Sequence, residues 1–591
     1  MPNTIRLFMW GYQRDFQISA KVSAESLFGA LDPALDPEVV LVGGRLGSES
    51  NRHPLCVDPE DGDIPLDQLD GLAEQVEQAQ RDDPENEIIH SHPVAEQNCK
   101  RRVRWRAFSE GVARTLALHR PDRAFFASFP QPVEHHLVTC VLHLDRGALE
   151  AHPRLHQADY LHRFVVPTSL VEATIQTFLD KCTDELSRSE PGMWLSGRGP
   201  ADLLRNAGRR LMTNPGRRLA WGGQNDDLYD QVDAVSALRY EGAEGKGRLL
   251  LTDKDGTGVR RTLTLESPVP LKAGRAARKL VEMATSQLDL LATPVAGIYG
   301  LGTADPDDDP SEERVFEVVF LKGNAWELRH AGVPLMRVAG GIPELPRDPI
   351  QRADFDTLVK RVLGSPGDLD PDALWTAVEA ARRQRHGTLL VVSTGAASEA
   401  ARLAAQSTPV EPVTLTPALV HAVSAIDGAV LVDAAGTCHA VGAILDGMAA
   451  DGGDPGRGAR YNSAHRYVET AARDLGHRTL AVVVSEDGMV DALPALRPQL
   501  DLAEIETRLA DLRHHRENPH ESRTLFCRTE AWLRKHAFYL DAEQCEEVNE
   551  AVRSVRQAWH EAEPTAIRVV DRPLAPHPDF DQSYLTETEE P

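Results

Sequence analysis

Short apolar runs alternate with amphipathic stretches along most of the chain, and this alternation predicts a protein of mixed α/β class. Within the first 200 residues, the apolar runs 39–42 and 137–142 predict strands, whereas the stretches 66–81 and 169–187 predict helices. Strands and helices mixed in this way are typical of an α/β or α+β domain.

The pattern becomes β-rich between residues 201 and 345. Turn-forming residues at 253–258 lie between two apolar runs, which is typical of a hairpin. The predicted elements are a hairpin of 248–252 with 261–265, a helix over 274–291, and a hairpin of 315–321 with 325–329.

Beyond residue 346, helices and strands alternate again, which predicts a mixed, mainly parallel sheet flanked by helices. The strands 429–433 and 438–445 are expected to form a hairpin. The other predicted elements are helices near 351–363, 371–384, 398–406, 416–425 and 463–475, and strands at 388–392 and 479–484.

The whole pattern predicts a multidomain protein, because 591 residues exceed what one hydrophobic core usually supports. The predicted parts are an α/β or α+β domain over 1–200, a β-rich middle region with one helix over 201–345, an α/β domain over 346–500, and a helical segment with an acidic tail over 501–591.

Composition narrows the class of protein. The formal net charge of −26 at pH 7 opposes binding to a phosphate backbone, so no nucleic-acid partner is expected. The apolar runs are far shorter than the roughly 20 residues that span a bilayer, and the N-terminus lacks a signal-peptide pattern. Seven scattered cysteines without a C-x-x-C pair indicate reduced thiols. These features predict a cytoplasmic protein without a membrane partner.

The most informative chemical feature is Asp427-Gly428-Ala429, at the beginning of a predicted strand. The Asp427 carboxylate is expected at the strand entrance, where it can hold Mg²⁺ or Mn²⁺ or help deprotonate a ribose hydroxyl in phosphoryl transfer. Gly428 leaves room for a ligand, and the small side chain of Ala429 keeps the adjacent surface of the site open. On local grounds, an ordinary turn before a strand explains the same residues about equally well.

A glycine-rich loop leads into a predicted helix about thirty residues later. Gly458 allows a ligand to approach the backbone, Asn462 is predicted to cap the helix, and Ser463 begins it. The free N–H groups of the first turn, with Arg460 beside them, predict a phosphate-binding site. Glycine-rich loops before helices are common, so this loop alone does not define a nucleotide site.

Glu486 follows the strand at 479–484 and would place a second carboxylate at the same sheet edge as Asp427. Ligands of α/β sheets bind at strand ends, so the three segments together predict one nucleotide-plus-metal site. An exposed turn is the alternative interpretation of Glu486.

These segments resemble the diadenylate cyclase domain family over about residues 370–495. Family members carry G-[AT]-L-[IL]-V at one strand, D-G-A-[VI] before a second strand, G-T-R-H-R-[TA] at a helix start, and a V-S-E-like strand end. The matching segments of this chain are 387–391, 427–430, 458–460 and 484–486.

The resemblance implies a function as well as a fold. In the family, two such domains face each other, and each 3′-hydroxyl attacks the α-phosphate of the other ATP, which gives cyclic di-AMP and pyrophosphate. The implied ligands are ATP or a cyclic dinucleotide with Mg²⁺ or Mn²⁺, and the chain would be a homo-oligomer if catalytic. The implied roles are metal binding and hydroxyl orientation by Asp427, phosphate contact by Arg460, assistance at the metal by Glu486, and nucleotide contact by Gly428, Ala429, Gly458, Asn462 and Ser463.

One motif departs from the family. Where members have Arg-His-Arg, this chain has Arg460, Tyr461 and Asn462. Losing groups that stabilise transition-state charge commonly costs about two orders of magnitude in rate or more. The cations that could substitute are Arg457, His465 and Arg466.

Three functions are therefore open. The chain is a nucleotidyltransferase that makes cyclic di-AMP, or a catalytically impaired sensor that binds ATP or a cyclic nucleotide and regulates the N-terminal region. The third interpretation is a structural or interaction protein with a vestigial site.

Overall fold

The computed structural model describes residues 7–47, 53–60, 62, 64–88, 91–156, 166–192, 199–220, 227–240, 243–244, 247–285, 287–321, 324–346, 350, 352–364, 367–382, 387–447, 459–484, 490–562, 572–578 and 580–586. The chain divides into two compact units. Unit 1 comprises residues 1–346, 508–537 and 542–575, and unit 2 comprises residues 347–507, 538–541 and 576–591.

Unit 1 begins with an antiparallel sheet. Its strands are β1 (Glu38–Arg45), β2 (Leu55–Asp58), β3 (Arg123–Ala127), β4 (Gln131–Val133) and β5 (His136–Asp145). The strand order is β2–β1–β5–β3, and β4 pairs with β5. The associated helices are α1 (Gln13–Leu31), α2 (Leu72–Asp82), α3 (Pro93–His119), α4 (Arg146–Ala151) and α5 (Leu170–Leu186).

Helices cover both faces of this sheet because the strand side chains alternate. Val39 and Leu41 of β1 belong to the same core cluster as apolar residues of α1 and α5, whereas Val40 and Val42 cluster with α3. The Ser169 hydroxyl begins α5 by accepting a hydrogen bond from the Glu172 amide at 3.1 Å. The predicted α/β character of this region is confirmed.

A second sheet follows within unit 1, and its strand order is β15–β14–β13–β12–β8–β10–β11–β9. Helices α6, α7 and α8 share its core cluster. The elements are α6 (Pro200–Leu219), α7 (Leu228–Ala237), β6 (Arg239–Tyr240), β7 (Ala243–Glu244), β8 (Gly247–Leu251), β9 (Val259–Val269), α8 (Arg275–Val281), β10 (Asp289–Thr293), β11 (Gly297–Ala304), β12 (Phe316–Leu321), β13 (Ala325–His330), β14 (Val333–Ala339) and β15 (Ile342–Glu344).

The β-rich character of this region and the β12–β13 hairpin are confirmed, but two details of the prediction are wrong. β8 does not pair with β9; it lies between β10 and β12, because the side chains of Leu249, Leu250 and Leu251 are buried and suit a central strand. The predicted helix over 274–291 ends at Val281, and β10 occupies its last part. A short apolar run does not by itself distinguish a helix from a buried strand.

Unit 2 contains a mixed sheet with the strand order β17–β19–β18–β16–β20–β21. Its elements are α9 (Arg352–Leu363), α10 (Pro371–Arg382), β16 (Thr388–Ser393), α11 (Ala396–Arg402), β17 (Thr408–Thr414), α12 (Pro417–Val423), β18 (Ala429–Val432), β19 (Thr437–Ala443), α13 (Ala459–Asp474), β20 (Thr479–Val484) and β21 (Val490–Leu493). Apolar residues of α9, α10 and α12 pack on one face, and those of α11 and α13 pack on the other.

The mixed sheet flanked by helices and the β18–β19 hairpin are confirmed, but the expected predominance of parallel pairs is wrong. Only β16 and β18 run parallel among the pairs of this sheet in the described residues. β18–β19 and β20–β21 are antiparallel neighbours, and β20 runs opposite to β16. The strand β17 was not predicted. It is an exposed edge strand that contains Pro409 and Pro412, and an edge tolerates the missing amides.

The last part of the chain is helical, as predicted. Its helices are α14 (Leu502–Glu517), α15 (Arg523–Lys535) and α16 (Ala542–Ala562), and the short strands β22 (Leu500–Asp501) and β23 (Leu585–Thr586) pair in unit 2. The seven cysteines are free thiols, and only Cys527 is exposed. In the described part of the chain, every helix is too short or too polar to cross a membrane.

Candidate functional site

The candidate site begins where the chain enters β18. Gly428 has φ +106°, and a Cβ built on it would lie 2.5 Å from the carbonyl carbon of Gly442 in β19. Only glycine fits this close backbone approach. The next residue, Ala429, is fully buried and pairs with Leu389 of β16 and Ala443 of β19. The backbone at Gly428 therefore leaves Asp427 at the strand entrance, as the sequence predicts.

Asp427 and Arg460 converge at this entrance. The Arg460 Nη2 atom donates a hydrogen bond to Asp427 Oδ1 at 3.1 Å, and the Asp427 side chain is 89% exposed. The pair joins two residues that are 33 positions apart in the sequence. A carboxylate and a guanidinium on an open surface can bind a cation and a phosphate, respectively.

Helix α13 carries Arg460, Tyr461 and Asn462, the segment for which the resemblance implies Arg-His-Arg. The prediction that Asn462 caps this helix is wrong, because the helix begins at Ala459 and Asn462 lies within its first turn. Ser463, three residues after Arg460, lies on nearly the same helix face, whereas Asn462 points about 200° around the axis. Tyr461 packs against the apolar cluster beneath the helix. Of the predicted nucleotide contacts on α13, Ser463 is therefore placed closer to Arg460 than Asn462 is.

The nearby cations on α13 take other partners. The Arg466 Nε atom donates to the Asn462 carbonyl oxygen at 3.0 Å, and the His465 Nδ1 atom lies 3.8 Å from Glu469 Oε1. At about 100° per residue, both side chains leave the helix within about 60° of the direction of Asn462, but roughly one turn farther along the axis. In this arrangement neither side chain lies at the first turn of the helix, where the resemblance implies a second arginine.

Three predicted residues lie outside the described residues: Gly458, Glu486 and the alternative cation Arg457. Within the described ranges, the structure holds no cluster of three or more histidine, cysteine or acidic side chains suited to a metal ion. Of the two predicted carboxylates, Asp427 is thus the one that lies within the described residues.

A polar network that was not predicted from the sequence joins α11 to α13. The Arg402 guanidinium forms a two-point contact with Glu399, at 2.9 and 2.7 Å, and another with Asp446, at 2.6 and 2.8 Å. The Tyr467 hydroxyl donates to Glu399 Oε2 at 2.7 Å. We call these four residues the α11 bracket. The i, i+3 spacing of Glu399 and Arg402 is a signal in the sequence, but it fits any surface helix pair.

The charges of the α11 bracket are mutually stabilised. Hydrogen bonds from Arg402 lower the pKa of Asp446, and hydrogen bonds to the two carboxylates raise the pKa of Arg402. Burial would raise the pKa of Glu399, but hydrogen bonds from Arg402 and Tyr467 outweigh it and hold the pKa below its ordinary value. Burial and the neighbouring Glu399 raise the pKa of Tyr467. The carboxylates therefore stay ionised well below neutral pH.

We predict that Arg402→Gln destabilises unit 2 at neutral pH but much less in acid. At pH 7 the loss should be about 2 kcal/mol, because the buried Glu399 carboxylate loses its charged partner, whereas the partly exposed Asp446 carboxylate can be hydrated by water instead. The folded pKa values of Glu399 and Asp446 lie below their ordinary values of 4.5 and 3.8. Their stabilisation is thus present above these values and is lost as the pH falls through the folded ones.

Native-state hydrogen exchange of β16 and β20, corrected for intrinsic rates, measures this difference at about pH 7 and about pH 3.5. A difference that is the same at both pH values would contradict the prediction. Arg382→Gln, which removes another i, i+3 ion pair in unit 2, is the matched control and should have little effect.

Comparison with known proteins agrees with the geometry of unit 2. Residues 375–493 match the family model described as "DisA bacterial checkpoint controller nucleotide-binding". They are a domain of the diadenylate cyclase type. The resemblance inferred from the motifs at about 370–495 is thereby confirmed, and it places Asp427, Arg460 and the α11 bracket inside one nucleotide-binding domain family.

Two regions before this domain match families of another kind. Residues 9–212 match the family model described as "Probable sensor domain DACNG", and residues 226–332 match "Probable sensor domain DACNH". A search of curated proteins finds no match. Among solved structures, a double mutant of DacA from Staphylococcus aureus is 18% identical, with a TM-score of 0.17, and the match covers 20% of this chain and 77% of that chain. The chain therefore combines sensor-type regions with a diadenylate-cyclase-type domain.

Proposed function

We propose that the diadenylate-cyclase-type domain binds ATP and a divalent cation at Asp427 and Arg460 and condenses two ATP molecules to cyclic di-AMP. The contact that supports this most directly is the 3.1 Å pair of Asp427 and Arg460 inside the matched family region. The sensor-type regions at 9–212 and 226–332 would regulate this activity. This arrangement makes the N-terminal half the sensing part, rather than the part that is regulated.

The described residues fit a divalent cation of the Mg²⁺ type. Mg²⁺ is usually held by one or two carboxylates together with substrate phosphates and water. Asp427 is exposed and offers one such carboxylate, and Glu486 would be the second on the family pattern. When bound, the cation would supply positive charge that stabilises the reacting phosphate groups.

The side chains of the site would then have separate roles in the reaction. Arg460 would leave Asp427 and hold phosphate oxygens of ATP, because a guanidinium forms stronger bonds with a multiply charged phosphate than with one exposed carboxylate. Asp427 would orient the 3′-hydroxyl of the ribose. In each half-reaction a 3′-O–P bond forms, the bond from the α-phosphorus to the β-phosphate oxygen breaks, pyrophosphate leaves, and the hydroxyl proton is released.

A second candidate is a nucleotide-binding domain without synthesis. Tyr461 packs into the apolar cluster where family members carry histidine, and Asn462 replaces an arginine. Both changes remove groups that stabilise charge in the transition state, but they leave Asp427 and Arg460 in place. Binding should tolerate this loss better than catalysis does.

One experiment separates the two candidates. The full chain is incubated with ATP and Mn²⁺, cyclic di-AMP is measured by chromatography, and ATP binding is measured by calorimetry. Synthesis is expected in the native chain and should be lost in Asp427→Asn. ATP binding without product would support the second candidate, and absence of both would reject both.

Two controls keep this experiment specific. Asp474→Asn changes an exposed carboxylate at the far end of α13 and should preserve synthesis and binding. Arg460→Ala should reduce ATP binding while hydrogen exchange of the sheet stays unchanged, because an exposed ion pair contributes little to stability.

A further inference from the structure

The α11 bracket holds the chain on both sides of the connection from β19 to α13. Asp446 lies three residues after the end of β19 and accepts two hydrogen bonds from Arg402. Tyr467 lies on α13 and donates a hydrogen bond to Glu399. Their partners, Arg402 and Glu399, both belong to the short helix α11. The connection between them ends at the helix start that carries Arg460.

A second contact strengthens this arrangement. A Cβ built on Gly447 would lie 2.9 Å from the backbone carbonyl carbon of Arg466, so the chain just after Asp446 runs directly against α13. Glycine at this position permits the close approach. The α11 bracket and Gly447 therefore hold the chain at residues 446–447 in a fixed position against α13.

Because α13 is a regular helix, fixing the position of Tyr467 also restricts the direction in which the Arg460 side chain leaves the helix. The two residues are seven positions apart, so their side chains leave the helix within about 20° of each other and roughly 10 Å apart along its axis. A hydrogen bond that fixes the Tyr467 hydroxyl therefore fixes the rotation of the helix about its axis. That rotation determines whether the Arg460 side chain reaches Asp427.

The chemistry of the bracket suits a positioning role better than a stabilising one. Glu399 is only 2% exposed, and keeping a carboxylate buried requires partners that are already in place. Apolar residues of similar size could join α11 to α13 without that requirement, but they would not fix the helix rotation by a directional bond. Arg402 satisfies both carboxylates with a planar fork, which sets their relative orientation.

We propose that Glu399, Arg402, Asp446 and Tyr467 are positioning residues that hold α13 in the rotation at which Arg460 reaches the nucleotide site beside Asp427. This inference rests on the proposed function for the identity of the ligand. The arrangement of α13 itself does not depend on that function and can be measured without nucleotide.

The test uses Glu399→Gln and Tyr467→Phe in the full chain, with two measurements on each variant. Hydrogen exchange without nucleotide should become faster in peptides covering 459–467, because the helix loses its anchor. Affinity for ATP with Mg²⁺, measured by calorimetry, should fall by about tenfold. In an Arg460→Ala background the same substitutions should change ATP affinity by less than about twofold, because the group they position is already absent.

The comparison of the two backgrounds distinguishes residues that position Arg460 from residues that only stabilise the fold. Equal losses of affinity in both backgrounds, or unchanged exchange at 459–467, would overturn the proposal. If the native chain binds no ATP, the proposed function fails, and the exchange measurement still decides whether the bracket holds α13. The two failures are therefore distinguishable.

Matched controls exist in the same unit. Arg352 also bridges two carboxylates, Asp356 at 2.8 Å and Asp372 at 2.7 Å, but it lies on α9, which packs on the opposite face of the sheet from α13. The Tyr539 hydroxyl donates to the Pro498 carbonyl oxygen at 2.8 Å. Arg352→Gln and Tyr539→Phe should leave both the exchange at 459–467 and the ATP affinity unchanged, and a tenfold effect from either control would count against the proposal.

Discussion

Gly428→Ala is expected to destabilise the β18–β19 region by about 3 kcal/mol and to weaken ATP binding strongly. The φ of +106° is one that residues with a Cβ rarely adopt, and the new methyl group would meet the backbone of Gly442 at 2.5 Å. Backbone atoms of a paired strand cannot move aside as a flexible side chain can. Either β18 shifts away from β19 or the turn before it changes, and both outcomes displace Asp427.

Gly476→Ala provides the control for this substitution. Gly476 also has a positive φ, +65°, but a Cβ built on it would meet nothing within 4 Å. Its replacement should cost only about 1 kcal/mol, which is the conformational part of the penalty. Native-state hydrogen exchange of β18 and β19 measures the stability, and calorimetry with ATP measures the site. Similar losses of stability in the two variants would show that the contact with Gly442 is not the cause.

The sequence was most informative where function depends on consecutive residues. Asp427, Gly428 and Ala429 lie next to each other, and the strand that follows them is apolar, so their place at a strand entrance could be predicted from the pattern alone. Their convergence with Arg460 was expected because ligands of α/β sheets bind at the strand edges. It arises because β19 runs antiparallel to β18 and returns the chain to the edge where β18 begins, before α13 starts. The roles of these residues in binding remain predictions.

The features that could not be predicted depend on partners far apart in the chain. Glu399 and Tyr467 are separated by 68 positions, and Arg402 and Asp446 by 44. Taken alone, the three charged residues fit an ordinary surface, and Tyr467 fits the apolar face of a helix. The turn at 253–258 likewise predicted a local reversal, but burial, rather than the turn, decided that β8 and β9 are not neighbours. Local chemistry indicates where the chain turns, and the competition for buried positions decides which strands pair.

Tyr461→His combined with Asn462→Arg is expected to raise cyclic di-AMP synthesis from ATP by about 100-fold. The two substitutions restore the Arg-His-Arg pattern of the diadenylate cyclase family at the first turn of α13. His465 and Arg466 lie one helical turn beyond Asn462, where they contact Glu469 and the Asn462 carbonyl oxygen, respectively. Neither therefore occupies the first turn, where the family motif carries its second cation. Synthesis is measured with the full chain, ATP and Mn²⁺, under conditions in which the native chain is assayed in parallel.

The control for this prediction is Tyr461→Phe combined with Asn462→Gln, which changes the same positions without adding a cation or an imidazole. It should leave the rate near that of the native chain, because the apolar packing of residue 461 is kept. A similar rise in both double variants would attribute the gain to altered packing of α13 rather than to restored charge. If the Arg-His-Arg variant binds ATP but gains no activity, the limit on synthesis lies elsewhere, and the binding-only function is favoured. A gain confined to the charged variant would show that the site kept its geometry while its phosphate-handling residues changed.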